Sequence, residues 1–441
     1  MTLHRVFLLI VFVLAARLAG AQTLTLQQCI DTALARNLDV ARTALGAESA
    51  EVQLQQARGA RLPNLTGDLY HAFNQGRGID PTSNGYVNQS LNFANYQLNS
   101  GVVLFNGGAL RQTQLQRAAA WEAARLEVQQ AKDFLAINVI TAYLQLLINE
   151  DLLQAVTRQA ELSRQQYERL ELMHRQGAIR PSELSDMKGQ WMADQLAISN
   201  ARNALETARL VLAQLLNKPY HTGLTVARID TSAFREPYGA TVAQVLEEAS
   251  GQFPSLKAAG LRTESARHGI LSARGSRAPV LSVGGGLATA YSSAARDGSG
   301  KLSYNSQLRN NFSTTVGVGL TVPLFNRLQG RSRVRLAEIE WKATRVQEAL
   351  VTQQLRQQVE AAWLNLTNAG DRLGLLETQA DAYAESYAAA EVRYKAGVGT
   401  SVDYLIAKDR MDRARIGLIM ARYDFVLRKQ VLDYFRGAGR R

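Results

Sequence analysis

The sequence predicts a mixed α/β protein written twice, each half combining a pair of strands with a very long helical hairpin. Three observations predict it: an internal repeat, a sustained 3.5-residue apolar period, and short segments that alternate with period two. The repeat comes first. Tyr387 begins YAAAEVRYKAG and Tyr167 begins YERLELMHRQG, 220 residues apart, and Leu104-Phe105-Asn106 returns 220 residues later as Leu324-Phe325-Asn326. Pro63 matches Pro279 at 216, as does LQQCIDTALARN from Leu26 with VAQVLEEASGQF from Val242. Shared order and near-constant spacing indicate duplication.

Each half has one plan. A short helix (26–36; 242–251) leads into a second (40–60; 255–277), and strands come after the proline. In 315–322, Val316, Val318, Leu320 and Val322 share one face, and Thr315, Gly317, Gly319 and Thr321 the other. Such alternation marks a strand with two different environments. Segments 281–291, 96–105 and 62–73 read similarly, joined in pairs by polar connections, HAFNQGRGIDPTSNGYVNQS and SSAARDGSGKLSYNSQ, that have loop composition.

Long helical runs come next, 108–176 and 331–396. In the second, Val359, Ala362, Leu366, Ala369, Leu373, Leu376, Ala380, Tyr383, Tyr387, Ala390 and Tyr394 step by alternating threes and fours. That 3.5-residue period specifies a left-handed coiled coil. At about 1.5 Å per residue such a run extends about 100 Å. Return helices, 182–217 and 401–435, are about half as long.

His4 and Arg5 precede an apolar run, 6–16, and Ala19-Gly20-Ala21 supplies a small-x-small cleavage pattern. Residues 1–21 therefore read as a secretory signal, with maturation near Gln22. Its loss takes the formal charge from +12 to +10. The arginines are scattered along helical stretches, so the basic balance does not indicate nucleic acid as a partner. Cys29 is the sole cysteine, lacks a lipobox, and reads as a small apolar helix-face residue. No stretch of eighteen consecutive apolar residues comes after the signal, which by that criterion excludes a transmembrane helix.

A membrane role therefore falls to the strands. Four strands cannot close a barrel, and an open sheet edge in hydrocarbon costs several kcal/mol per unpaired group. Several chains, two, three or more, must then share one barrel. The histidines His4, His71, His174, His221 and His268 form no metal spacing, and GVGTS lacks the lysine of a phosphate loop. Nothing in the sequence calls for an enzyme, a metal or a cofactor.

LFNGGALRQTQLQRAAAWEAARLEV, the YKAGVGTSVDYL turn, the TLTLQQCIDTALARN start and the 220-residue repeat together resemble the TolC-type outer membrane factors. GRGIDPTSN, from Gly76, is similar to a variant in one branch of that family. The resemblance covers essentially the whole chain after the signal, and divides it into a first repeat, 22–220, and a second, 221–441. It implies a homotrimer with a twelve-stranded outer-membrane β-barrel, four strands per chain, continuous with a long α-helical coiled-coil barrel across the periplasm. Such proteins are passive exit ducts of efflux or type I secretion systems. The implied partners are a periplasmic adaptor protein, an inner-membrane pump of RND, ABC or MFS type reached through it, and outer-membrane lipid. Phe73, Tyr96, Tyr291, Tyr304 and Phe312 suit an interfacial aromatic girdle. The competing class is a periplasmic coiled-coil adaptor or structural rod without a pore.

By the same resemblance, the helix–turn–helix tips form the periplasmic mouth. Asp403 falls on the family's acidic position and implies a negative ring favouring cations. Capping a helix start is the alternative role for an acid behind Thr400 and Ser401. Ile406 stands where the family has a second acid, and Gly399 where it often has a basic latch. Tyr394 keeps the family's aromatic, while Arg180 and Glu183 offer a substitute latch. The turns Gly177, Ala178 and Ile179, and Gly397, Val398 and Gly399, are the implied adaptor contact; as simple helix C-caps they need no partner. Leu104, Phe105, Asn106, Leu324, Phe325 and Asn326 mark the strand-to-helix transitions.

Overall fold

The computed structural model describes residues 23–79, 84–88, 90–230, 238–298 and 300–437. The expected signal, 1–21, and residues 80–83 of the GRGIDPTSN stretch lie outside the described residues. In chain order the elements are α1 (Leu26–Arg36), α2 (Leu38–Gly59), β1 (Asn64–Asn74), β2 (Arg77–Ile79), β3 (Tyr86–Asn88), β4 (Leu91–Phe105), α3 (Ala109–Arg175) and α4 (Pro181–Leu215). The second repeat contains α5 (Val242–Gln252), α6 (Pro254–Gly275), β5 (Val280–Ser292), β6 (Arg296–Asp297), β7 (Gly300–Lys301), α7 (Tyr304–Asn310), β8 (Ser313–Thr321), α8 (Gln329–Lys395) and α9 (Ser401–Phe435).

The duplication is visible in equal lengths. Both α1 and α5 have 11 residues, α2 and α6 have 22, α3 and α8 have 67, and α4 and α9 have 35. Even the starts match: Thr25 and Thr241 each close a capping box, with Gln28 and Gln244. The slip in spacing from 216 to 220 falls in the strand connections. Residues 293–312, between β5 and β8, outnumber residues 75–90, between β1 and β4, by four.

The chain forms two compact units, each drawing on both repeats. The first contains Leu126–Leu256 and Val351–Arg441 with the chain up to Ala44. In it, Cys29 and Ala33 of α1 pack on Leu135, Val139, Tyr143, Leu146 and Leu147 of α3 and on Leu205, Leu212 and Leu216. Each buried leucine contributes about 1.5–3 kcal/mol. Leu24 pairs in parallel with Val226, and the Tyr143 hydroxyl lies 2.6 Å from the Ala227 carbonyl. Burial pushes both the Cys29 thiol, to about 11, and the Tyr143 hydroxyl, to about 12, upward. Cys29 is thus the apolar filler its sequence context indicates. In the second repeat Val245, Ala249 and Phe253 pack on Leu355, Val359, Ala362 and Leu366 of α8 and on Leu432 and Phe435.

The 3.5-residue stripe of α8 lies inward. Val359, Ala362, Leu366, Ala369, Leu373, Ala380 and Ala390 are buried, and Leu376, Tyr383, Tyr387 and Tyr394 are half-buried. One sequence criterion needs correction. Although no eighteen apolar residues run consecutively, α3 contains an 18-residue window of mean hydropathy 1.4 with few charges, long and apolar enough to cross a membrane. The apolar run 134–148 supplies Leu135, Val139, Leu144, Leu146 and Leu147 to the core around Cys29, which gives that hydropathy a packing role.

The second unit contains Leu45–Arg125 and Lys257–Leu350. At its centre is an antiparallel sheet ordered β1-β4-β5-β8. The register places Leu69 opposite Tyr96, Tyr96 opposite Thr289, Leu98 opposite Leu287, and Val283 opposite both Val102 and Val318. One face therefore carries Leu65, Leu69, Phe73, Tyr96, Leu98, Val102, Leu281, Val283, Leu287, Tyr291, Val316, Val318 and Leu320. The other carries Asn64, Thr66, Asp68, Asn95, Gln97, Asn99 and the glycines 284, 286, 317 and 319. Leu69, Val316, Val318 and Leu320 are 81%, 78%, 69% and 64% exposed, so that part of the apolar face has no cover among the described residues. The edges, β1 and β8, have unpaired ladders among the described residues.

Both polar connections depart from the loop reading. The first forms a β2–β3 hairpin, and the second forms a β6–β7 hairpin and then α7. Local side-chain bonding builds them: Ser303 caps α7 by accepting from the Ser306 amide, and the buried Gln307 bonds both backbone groups of Ser292. Composition alone does not report such a network.

Candidate functional site

The first repeat's hairpin turns at Gly177 and the second's at Gly397, with φ of +73° and +74°. Only glycine takes that backbone readily. Gly177 N donates to His174 O at 2.9 Å and Ala178 N to Met173 O at 2.9 Å. The counterpart bonds run from Gly397 N to Tyr394 O at 3.1 Å and from Val398 N to Arg393 O at 3.0 Å. Both are Schellman ends, so the two turns are the same device.

Their exits differ. Thr400 Oγ1 accepts from the Asp403 amide at 3.1 Å and donates to Asp403 Oδ2 at 2.7 Å, which caps α9. Arg180 makes no side-chain cap; Pro181 starts α4 instead, with Glu183 in the first turn. Glu183 is the 220-residue counterpart of Asp403. Asp403 is exposed and Glu183 half-buried.

A common cluster brings the two turns together. Leu170 of α3, Met187 of α4 and Tyr404 of α9 are buried, and Ile179, Leu184, Tyr387, Tyr394 and Leu405 pack around them. The Tyr394 and Tyr404 rings stack at 5.1 Å, and the Tyr387 and Tyr404 hydroxyls lie 3.2 Å apart. Burial pushes the Tyr404, Tyr387 and Tyr394 hydroxyls upward, and the Glu183 charge adds to the shift at Tyr394. Tyr394 thus belongs both to the coiled-coil stripe and to the cluster between the turns. In each turn the first residue after the glycine is exposed, Ala178 in one and Val398, at 82%, in the other, whereas Ile179 is tucked into this cluster. Gly399, the counterpart of Ile179, is tightly placed: an added Cβ would meet Tyr394 N at 3.3 Å.

Behind the cluster lies a set of charges that sequence reading missed. Lys408 of α9 is 2% exposed, and its Nζ donates to Asp412 Oδ2 at 2.9 Å and to Asp194 Oδ2 of α4 at 3.2 Å. Ser163 Oγ of α3 donates to Asp194 Oδ2, and Gln159 and Gln190 donate to its Oδ1 at 3.2 and 2.8 Å. One ammonium thus serves two buried carboxylates and joins three helices. Burial pushes the Asp412 carboxyl upward, partly offset by Lys408; Asp194 raises it further and Arg415 lowers it. Only Lys408 and Asp412, four apart on α9, could have been paired from the sequence. Asp194 is 214 positions away, and an isolated helix-face acid reads as solvated.

The strand-to-helix transitions also differ between repeats. Asn106 Oδ1 accepts from the Leu110 amide and Asn326 Oδ1 from the Gly330 amide, so both asparagines cap the long helices. Leu104 and Phe105 end β4 beyond a register shift, but β8 stops at Thr321 because Pro323 offers no amide to the ladder. Leu324 and Phe325 consequently stand 92% and 81% exposed. Gly107 and Gly108 take positive φ in the first repeat, while Arg327 and Leu328 are forced to do so in the second.

Comparison with known proteins accounts for this arrangement. A family model described as outer membrane efflux protein matches twice, over residues 29–218 and 245–434, which is the duplication itself. The outer membrane protein TolC of Escherichia coli K12 is 24% identical over 416 residues, covering 92% of this chain and 81% of that protein. The pyoverdine export outer membrane protein OpmQ of Pseudomonas putida is 25% identical over 393 residues, with 86% and 78% covered. In fold, the chain is similar to the Campylobacter jejuni CmeC outer membrane channel, with a TM-score of 0.81 at 17% identity, covering 94% of this chain and 86% of that one. CusC gives the same TM-score and identity, over 95% and 94%. The repeat, the two-faced sheet and the long hairpins therefore have one explanation: the chain belongs to the outer membrane efflux protein family, the TolC-type channels of the outer membrane.

Proposed function

We propose that the protein is the passive exit duct of a tripartite export assembly, acting as a homotrimer whose four-stranded sheets close a twelve-stranded barrel. The sheet carries this reading: most of its apolar face is exposed and both edges are unpaired among the described residues, a combination that a bilayer tolerates only on closure. Residues 22–220 and 221–441 serve as the two repeats, so three chains give six quasi-equivalent hairpins.

The helices support a shared assembly as well. On α9, Lys408, Asp412 and Ile416 are buried or half-buried. Their 220-residue counterparts on α4, Lys188, Met192 and Leu196, are exposed, the last two by 45% and 62%. In a ring of copies this α4 stripe meets the next chain. The turns at Gly177, Ala178, Ile179 and Gly397, Val398, Gly399 then present a rim to a periplasmic adaptor, and through it to an RND, ABC or MFS pump. Asp403 and Glu183 line the mouth beside Tyr394 and Arg180. Because Gly399 offers no latch, Lys408 holds α9 against the first hairpin through Asp194. The cargo is a small molecule or peptide, a reading supported by the pyoverdine exporter among the relatives.

Leu196→Asp tests the assembly. Wild-type protein is expected in the outer-membrane fraction as a heat-modifiable oligomer that conducts ions in planar bilayers, and the variant as monomer. A soluble wild-type monomer overturns the duct in favour of a pore-free periplasmic rod.

A further inference from the structure

The β5–β8 connection is more elaborate than a barrel loop needs. Its helix, α7, folds back on the apolar face of the sheet. Thr289, Tyr96 and Tyr291 of that face hold it: Thr289 Oγ1 donates to Leu308 O at 2.8 Å, the Tyr304 and Tyr96 hydroxyls lie 2.8 Å apart, and the Tyr304 and Tyr291 rings are 4.8 Å apart. Asn311 Nδ2 donates to Ala290 O at 2.7 Å, and Gln307, 1% exposed, bonds the backbone of Ser292 and Leu302. The connection is therefore anchored at the aromatic border of the apolar face, at the end of the sheet opposite the starts of α3 and α8.

Its charges are arranged against ordinary strand chemistry. Arg296 of β6 lies directly opposite Lys301 of β7, and like charges in register repel. Arg309, in the last turn of α7, is also exposed. None of these three cations makes an ion pair among the described residues. Asp297 occupies the next hairpin position, opposite Gly300, and alternation puts its side chain on the other face from Arg296 and Lys301.

We infer that Arg296, Lys301 and Arg309 form a docking surface for the phosphate groups of a glycolipid in the outer leaflet. The inference rests on the proposed barrel, in which the apolar face meets lipid and the tyrosine border marks the headgroup layer. A phosphate between Arg296 and Lys301 relieves their repulsion, and a guanidinium matches two phosphate oxygens at once. Position selects a lipid over a free anion. The surface adjoins the apolar face, so one molecule satisfies both the cations and the exposed leucines and valines beneath them. Both connections form a hairpin, and this one, four residues longer than its twin, also forms a helix.

The test titrates full-length protein in phosphatidylcholine mixed micelles with fluorescent bisphosphorylated glucosamine lipid, its dephosphorylated form, or inorganic phosphate as competitor. Neutralising one cation is expected to weaken apparent affinity about fivefold, in line with the contribution of a basic residue near an anionic lipid surface. Arg296→Gln and Lys301→Gln should each show that loss, and the triple variant with Arg309→Gln should bind no better than wild type binds the dephosphorylated lipid. Equal affinity of wild type and triple variant overturns the inference, as does full competition by inorganic phosphate, which identifies a free-anion site. Conductance in plain phosphatidylcholine bilayers is measured on the same samples. It is expected unchanged in the variants, which shows that they fold; loss of conductance in wild type itself strikes the duct reading rather than the lipid site.

Discussion

The two hairpin turns are one device used in two ways. Gly177 and Gly397 reverse the chain with the same dihedral and the same Schellman bonds, so the end of each long helix is interchangeable. The exits are not. The first turn leaves through Ile179 and Pro181, which fix it by packing and by a preset φ. The second leaves through Gly399 and Thr400, which fix it by hydrogen bonds, and exposes Val398. Both turns pack in the shared cluster, and α9 is held twice: to its own hairpin, where Tyr404 meets Tyr387 and Tyr394 of α8, and to the first hairpin, where Lys408 reaches Asp194. Duplicated sequence has diverged in how each turn is left, and α9 has gained a buried charged link to the first hairpin.

Breaking that link should give the largest effect. Lys408→Met leaves Asp194 and Asp412 buried without their cation, a loss of about 3–5 kcal/mol. Thermal unfolding is expected to shift down and single-channel conductance up, whereas Lys188→Met, the exposed counterpart, should change neither intrachain stability nor conductance comparably. Equal effects from the two lysines would erase the proposed asymmetry. The same cluster sets a pH dependence. Burial raises the Asp412 carboxyl, so the folded chain holds that proton more tightly than the unfolded chain does. Its contribution is present at low pH and is lost as pH rises through the raised value. Asp412→Asn should flatten that slope in pH-dependent melting.

A smaller effect separates cap from ring at Asp403. Thr400→Ala removes the cap and should cost about 1 kcal/mol with cation selectivity intact. Asp403→Asn should keep stability near wild type and reduce cation preference in bilayer recordings. If the asparagine variant selects as well as wild type, the acid is a cap and nothing more. The smallest effect tests the shared part. Gly177→Ala and Gly397→Ala meet no atoms, so each carries only the backbone penalty of about 1 kcal/mol. Matching losses in urea unfolding sharpen the claim that the turns are one device, and unequal losses break it.

Much of the fold was legible because it is local or periodic. The heptad stripe of α8, the alternation of β8 and the turn glycines each act within a few residues, and the repeat supported each element by its twin. The Arg296–Lys301 hairpin, α7 and the latch were not legible. Gln307 reads as loop until Ser292 is beside it, and Asp194 reads as solvated until Lys408 arrives from 214 residues away. The four-residue slip between the repeat spacings is visible in the sequence, but not the helix α7 that distinguishes the longer connection.

The sequence by itself determined the duplication, the long coiled helices, the strands with one apolar face, and the place where each hairpin turns. These arise from period, spacing and backbone freedom, which are properties of neighbouring residues. Only the tertiary structure decided which copy of a repeated residue is buried. Lys188 and Lys408 are the same letter at the same repeat position, and one faces solvent while the other sits among two carboxylates. The reason is physical: burial of a charge depends on the partner brought to it, and that partner comes from another helix.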